Sequence, residues 1–101
     1  MQFSGTPCYM APEIFQKRAY DEKIDVFAFG TLLWELFSRK VPFEGLEPAD
    51  VMTKVLKEDQ LSSVGVPKKI LQLVTECRAT DPRKRPGFDY IVDVLNGITS
   101  L

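Results

Sequence analysis

The run from Ile24 to Phe37 is the most apolar stretch of the chain, fourteen positions in which Asp25 and Glu35 are the only charges. A helix that crosses a bilayer needs about 20 consecutive apolar residues. This run is therefore too short to span one and reads as a buried helix. The predicted helix extends from Glu22 to about Arg39 and places Ile24, Val26, Phe27, Phe29, Leu32, Leu33, Trp34, Leu36 and Phe37 on nearly every side of its axis. A helix with no polar face is stable in water only when protein surrounds it. Whatever else this chain does, it has to wrap this rod.

The remaining segments supply the wrapping. Pro12 opens a short predicted helix to about Lys17, since a proline at the first helical position gives up an N–H that has no partner there anyway. Pro48 to Lys57 carries Val51, Met52, Val55 and Leu56 in i, i+4 pairs. A fourth helix begins near Pro67 with Ile70, Leu73, Val74 and Cys77 at i, i+3, i+4 and i+7. A fifth carries Phe88, Ile91, Val92 and Leu95, with Asn96-Gly97 as its expected stop. Strand alternation is weak everywhere, so the expected class is all-α: about five helices around a central hydrophobic one.

Composition narrows the functions. The chain has 101 residues, 13 Lys plus Arg, 14 Asp plus Glu, and a net charge of -1, without the basic excess that nucleic-acid binding requires. It contains no histidine, which excludes Ser–His and Cys–His nucleophile pairs and histidine zinc sites within this sequence. Cys8 and Cys77 are too few for a disulfide framework, and no signal peptide is visible. These features lead us to expect a cytoplasmic setting, with neither a membrane nor a nucleic acid as partner. The glycines match no phosphate-binding loop. No metal site, no cofactor site and no catalytic residue is assigned within the chain.

Three polar residues stand out against this background. Glu13 follows Pro12 at a helix start, where the helix dipole favours an acid. Asp25 interrupts the apolar run in its first turn, as a capping or first-turn acid would. Arg85 sits in the basic run Arg83, Lys84, Arg85 between Pro82 and Pro86, where a solvated surface charge is the ordinary outcome. Each has an unremarkable explanation when taken alone.

Their order along the chain points elsewhere. "GTPCYMAPE", then "DVFAFGTLLWELFSRKVPFEG", then "CRATDPRKRPGF" resemble the second half of the eukaryotic protein kinase C-lobe, over about Phe3 to Ile98. The resemblance implies that Ala11, Pro12 and Glu13 close an activation segment. It also implies that Glu13 pairs with Arg85 and that Asp25 holds backbone amides of a catalytic loop. Phe3, Gly5, Thr6, Pro7 and Met10 would form a substrate-binding segment, with Phe3, Pro7 and Met10 lining the pocket for the residue after the phosphoacceptor. Thr6 after Gly5 matches the Ser/Thr-kinase pattern, in which its hydroxyl bonds the catalytic Asp and Lys. Thr6 is accordingly read as structural rather than as a phosphosite, and Ser4 stays open. "FGTLLWELFSRKVPF" looks most like the tyrosine-kinase-like branch. Trp34 and Phe37 would be packing residues.

The departures are as informative as the matches. The family's Gly-rich loop, its ATP-contacting lysine, the H-R-D-x-x-x-x-N catalytic loop and the D-F-G metal site are all missing from these 101 residues. The chain is therefore expected to be a partial kinase domain, residues 1–101, cut within the activation segment and inactive alone. Its parent would be a Ser/Thr kinase using ATP and Mg²⁺ on a protein substrate. One alternative is a pseudokinase or interaction module that docks partners through this lobe. Another is an unrelated helical bundle, in which Glu13 and Arg85 would lie far apart. Without the rest of a kinase domain as partner, one side of Ile24 to Phe37 should lie bare. Self-association or a rearranged N-terminal segment is then expected.

Overall fold

The computed structural model describes residues 9–57 and 61–99. Five α-helices follow in order: α1 Pro12–Phe15, α2 Lys23–Ser38, α3 Pro48–Leu56, α4 Lys68–Cys77 and α5 Phe88–Thr99, with a 3₁₀ turn at Pro82–Lys84 before the last. Among the described residues there is no strand, and the class is all-α.

The helices form where periodicity and prolines place them. Pro12 and Pro48 sit in the first turns of α1 and α3, and Pro67 caps α4. The α4 stripe of Ile70, Leu73, Val74 and Cys77 is buried as a set. It packs on α2, where Val26, Leu33 and Trp34 meet it, and Ile91 of α5 completes this first cluster. A second, smaller cluster gathers Ala11 from before α1, Phe27 from α2, and Val51 and Val55 from α3. Phe27 and Val26 are neighbours on α2 yet serve different clusters, so α2 separates the two halves of the core. The Trp34 indole N–H donates to the Ser62 carbonyl at 2.7 Å and fastens the loop before α4 to the rod.

These contacts correct several expectations. The first is the Asn96-Gly97 stop, since α5 continues to Thr99. Continuation lets Ile98 join Val94 and Leu95 against the first cluster, and that burial outweighs the cost of one helical glycine. The α5 stripe consequently runs through Ile91, Val94, Leu95 and Ile98, while Phe88 and Val92 are exposed.

The second correction concerns the rod itself. Leu32 and Leu36 are 45% and 64% exposed, so protein does not surround α2 on all sides. Asp25, Phe29, Leu32 and Leu36 follow at helical spacing along one stripe. Asp25 is exposed there, and Phe29 is partly covered by an edge-on contact with Phe88. The bare side expected of a partial lobe is this stripe. Phe37, expected to pack, is 41% exposed, whereas Trp34 is buried. In α3, likewise, Val51 and Val55 are buried but Leu56 is not, because only one edge of that helix meets the core.

Helices α2 and α4 approach each other closely at Gly30. A β-carbon there would lie 2.7 Å from the Cys77 Cβ and 3.1 Å from the Arg78 Cγ. Gly97 has open space instead. Gly30→Ala is therefore expected to destabilise the chain by about 1–3 kcal/mol through overpacking. Gly97→Ala is expected to stabilise it by about 0.5–1 kcal/mol, since α5 passes through that position. Urea denaturation of the two variants side by side measures both signs.

Candidate functional site

The site is built around one side chain in the turn between α4 and α5. In "TDPRKRP" the Asp81 carboxylate accepts from the Arg83 backbone N–H at 2.9 Å and so caps the 3₁₀ turn. The Arg83 guanidinium binds the same carboxylate through Nε and Nη2, at 3.1 and 3.0 Å. Those hydrogen bonds, from side chain and then backbone, pull the Asp81 carboxyl down to about 2. Pro86 biases the residue before it toward extended backbone, and Arg85 has φ −76° and ψ 139°. The three cations of this run thus meet different fates. Arg83 is paired at the surface, Lys84 is exposed, and Arg85 turns inward to 2% exposure.

Inside, Arg85 meets Glu13, which is 5% exposed at the start of α1. Nη1 donates to Oε2 at 2.7 Å and Nη2 to Oε1 at 2.9 Å, a two-pronged pair between residues 72 positions apart. The guanidinium has five N–H donors. The other three reach the carbonyls of Ala79, Lys23 and Thr80 at 2.8, 3.1 and 3.3 Å. The Arg85 carbonyl in turn accepts from Lys23 Nζ at 2.8 Å. Among the described residues no buried side-chain nitrogen or oxygen lacks a partner. The Arg85 guanidinium also lies 5.1 Å from the centre of the Phe27 ring, and that of Arg78 lies 4.8 Å from it. One arginine therefore joins α1, the start of α2, the end of α4 and its own turn.

Two further contacts hold the same region, and sequence reasoning did not assign them. The Tyr9 hydroxyl donates to Glu35 Oε1, tying the residues before α1 to the last turn of α2. The signal was present: a carboxylate inside an apolar helix requires a donor, and an aromatic hydroxyl stands next to the A-P-E triplet. Thr31, fully buried, donates to the Phe27 carbonyl at 3.3 Å and accepts from Arg78 Nε at 2.9 Å. No periodic pattern marks Arg78 for that role.

Of the site residues expected from the sequence, the structure brings Glu13 and Arg85 together, and the reading as a bundle with the two far apart fails. Asp25 lies in the first turn of α2, exposed, and its side chain makes no hydrogen bond or ion pair among the described residues. Met10 is half-buried just before α1. Phe3, Ser4, Gly5, Thr6 and Pro7 lie outside the described residues. Among the described residues no group of three or more His, Cys, Asp or Glu could hold a metal ion, and no helix is long and apolar enough to cross a membrane.

Truncating either member of the buried pair strands the other. Arg85→Ala and Glu13→Ala are each expected to cost about 3–5 kcal/mol. The double variant is expected to cost less than the two added together, because neither charge is then left alone. Chemical denaturation of the three variants measures this coupling.

Comparison with known proteins agrees with the geometry. The sequence model described as protein tyrosine and serine/threonine kinase matches residues 3–95. A probable LIM domain-containing serine/threonine-protein kinase of Dictyostelium discoideum is 40% identical over 96 residues, covering 94% of this chain and 10% of that protein. Mitogen-activated protein kinase kinase kinase 7 of Drosophila melanogaster is 40% identical over 96 residues, covering 93% of this chain and 14% of its own length. The probable serine/threonine-protein kinase drkA of Dictyostelium discoideum is 35% identical over 102 residues, covering 99% of this chain and 16% of its own. The chain thus spans about a tenth to a sixth of these three relatives. With its A-P-E glutamate clamped by Arg85 and a match over nearly its whole length, the chain belongs to the protein tyrosine and serine/threonine kinase family.

Proposed function

We propose that residues 1–101 are the substrate-positioning end and helical scaffold of a Ser/Thr protein kinase catalytic domain. The observation that carries the reading is the Glu13–Arg85 clamp, which fixes the end of the segment next to residues 5–10 onto the α2 rod. The names of the relatives support Ser and Thr as acceptors, and the Gly5-Thr6 dipeptide is consistent with them. The stretch Phe29 to Phe43 supports placement in the tyrosine-kinase-like branch.

In this reading the chain's own residues orient rather than react. Glu13 and Tyr9 hold the segment against α2 through Arg85 and Glu35. Phe3, Pro7 and Met10 accept an apolar side chain after the phosphoacceptor. The Thr6 hydroxyl bonds the catalytic-loop Asp and Lys, and Asp25 steadies that loop's backbone amides from the start of α2. The residues present do not fit ATP, which would supply the phosphoryl group, or Mg²⁺, which would neutralise the charge on its phosphates. The sequence has neither a Gly-rich loop nor the D-F-G and H-R-D motifs, so their ligands belong to other residues of the protein. The setting is cytoplasmic and the substrate is a protein.

Phosphoryl transfer tests this directly. The 101 residues alone are expected to show no incorporation of labelled phosphate from ATP. A polypeptide in which H-R-D and D-F-G motifs precede this segment is expected to phosphorylate Ser and Thr peptides and to leave Tyr peptides untouched. Loss of either motif's Asp from the natural sequence, or a longer protein that transfers nothing, would favour the docking-module reading. Transfer by the short chain would sink the proposal.

The bare stripe of α2 supports a second property. Leu32 and Leu36 expose an apolar face on the same stripe as Phe29, whose ring meets the exposed Phe88, a surface the remainder of the domain would cover. In its absence the chain is expected to self-associate. Sedimentation is expected to show concentration-dependent oligomers that Leu32→Glu/Leu36→Glu abolishes, and a monomer at every concentration contradicts this.

A further inference from the structure

A groove of about 840 Å³ lies directly over the clamp and is not used by the reading above. Its volume falls within the range of about 300–1,000 Å³ in which pockets hold ligands. One wall comes from α1 and the loop after it, including Gln16, Arg18 and Ala19. The other runs from Thr75 through the turn to Lys84. Phe27, Val55 and Pro12 close its base, all buried, with Phe27 at 2% and Val55 at 4% exposure.

The charges of this lining are uneven. Four cations, Arg18, Arg78, Arg83 and Lys84, face two carboxylates, Glu13 and Asp81. Both carboxylates are already bound by two-pronged arginine pairs, Glu13 by Arg85 and Asp81 by Arg83. Arg18 and Lys84 are exposed and have no ion pair among the described residues. A chain with a net charge of -1 thus concentrates positive potential in one concave place. A cleft walled by protein focuses such a field onto whatever enters it.

We propose that this groove is a docking site for an acidic peptide segment of a partner protein. A carboxylate or phosphate meets Arg18, another meets Lys84, and an apolar side chain between them rests on the Phe27–Val55 floor. Arginine and lysine clusters over an apolar base are a recurring way of holding acidic or phosphorylated motifs. The apolar floor and the overall negative charge favour a peptide over a nucleic acid, which would need a wide basic surface. The site lies beyond the kinase reading and does not depend on it, because its chemistry is this chain's own.

Fluorescence anisotropy on the complete 101-residue chain tests the assignment. The probe is a labelled dodecapeptide with a central leucine flanked by glutamates, and its counterpart has glutamines instead. The acidic peptide is expected to bind about tenfold or more tightly than the glutamine form, and to weaken as salt rises from about 50 to 200 mM. Replacing the glutamates by phosphoserines is expected to strengthen binding further. Arg18→Glu/Lys84→Glu, both surface positions, is expected to weaken the acidic peptide about tenfold or more. Lys40→Glu/Lys68→Glu, which changes net charge equally at exposed positions outside the groove, is expected to leave it within about twofold. Equal binding of the glutamine peptide, equal losses in the two charge-reversed variants, or no binding at about 1 mM peptide would overturn the proposal. So would competition by a single-stranded oligonucleotide of matched charge as effective as that by the peptide, which would mark a general polyanion surface.

Discussion

The joining of α1, the start of α2 and the turn between α4 and α5 depends on how Arg85 places its five donors. Two go to Glu13 and three to main-chain carbonyls, so no N–H of a buried guanidinium is left without an acceptor. A lysine could not replace it, since an ammonium has three donors on one point and cannot match a planar carboxylate and three carbonyls together. Burying two charges costs several kcal/mol per ion, and their attraction repays that cost only when the geometry is close to ideal. The gain is therefore one of direction more than of net stability. Residues 13–23 and 79–85, joined by bonds that span 62 and 72 positions, are held in one arrangement, because a shift between them strands a charge.

The rod at the centre divides its sides among different tasks. Gly30 and Thr31 let α4 approach closely, and Thr31 then takes the Arg78 guanidinium. Phe27 points to the other half of the core, where its ring carries both Arg78 and Arg85. The Leu32–Leu36 side stays open. Helix α2 is thus apolar all round for two distinct reasons: part of it is core, and part is a surface suited to being covered.

Much of this was legible in the sequence, and the boundary of what was legible is physical. Helix positions follow from local periodicity and from prolines at first turns, so α1 to α4 fall within a few residues of expectation. The Asn96-Gly97 stop failed because Ile98 has a core contact to make, a tertiary gain that no local signal reports. The clamp could not be read from composition. Within "PRKRP" the charges are alike, and only the dihedrals imposed by the prolines send Arg85 inward while Lys84 faces water. It became legible through the order of three motifs that resemble the kinase family. The Tyr9–Glu35 contact spans 26 positions and left one trace in the sequence, a carboxylate within an apolar helix, whereas Thr31–Arg78 spans 47 positions and left none.

The clamp and the groove above it are consequences of one arrangement. Glu13 contributes to the groove wall, but its charge is already matched from beneath by Arg85. Asp81 is matched within its own turn by Arg83, which holds its carboxyl ionised down to about pH 2. Each acid near the groove is thereby neutralised by a structural partner, and the cations left over, Arg18 and Lys84, set the sign of the field. Because the two walls are the same segments that Arg85 ties together, the distance between those cations is governed by the buried pair. A change that loosens the pair would therefore blur the positive patch along with the anchor of the substrate-positioning segment.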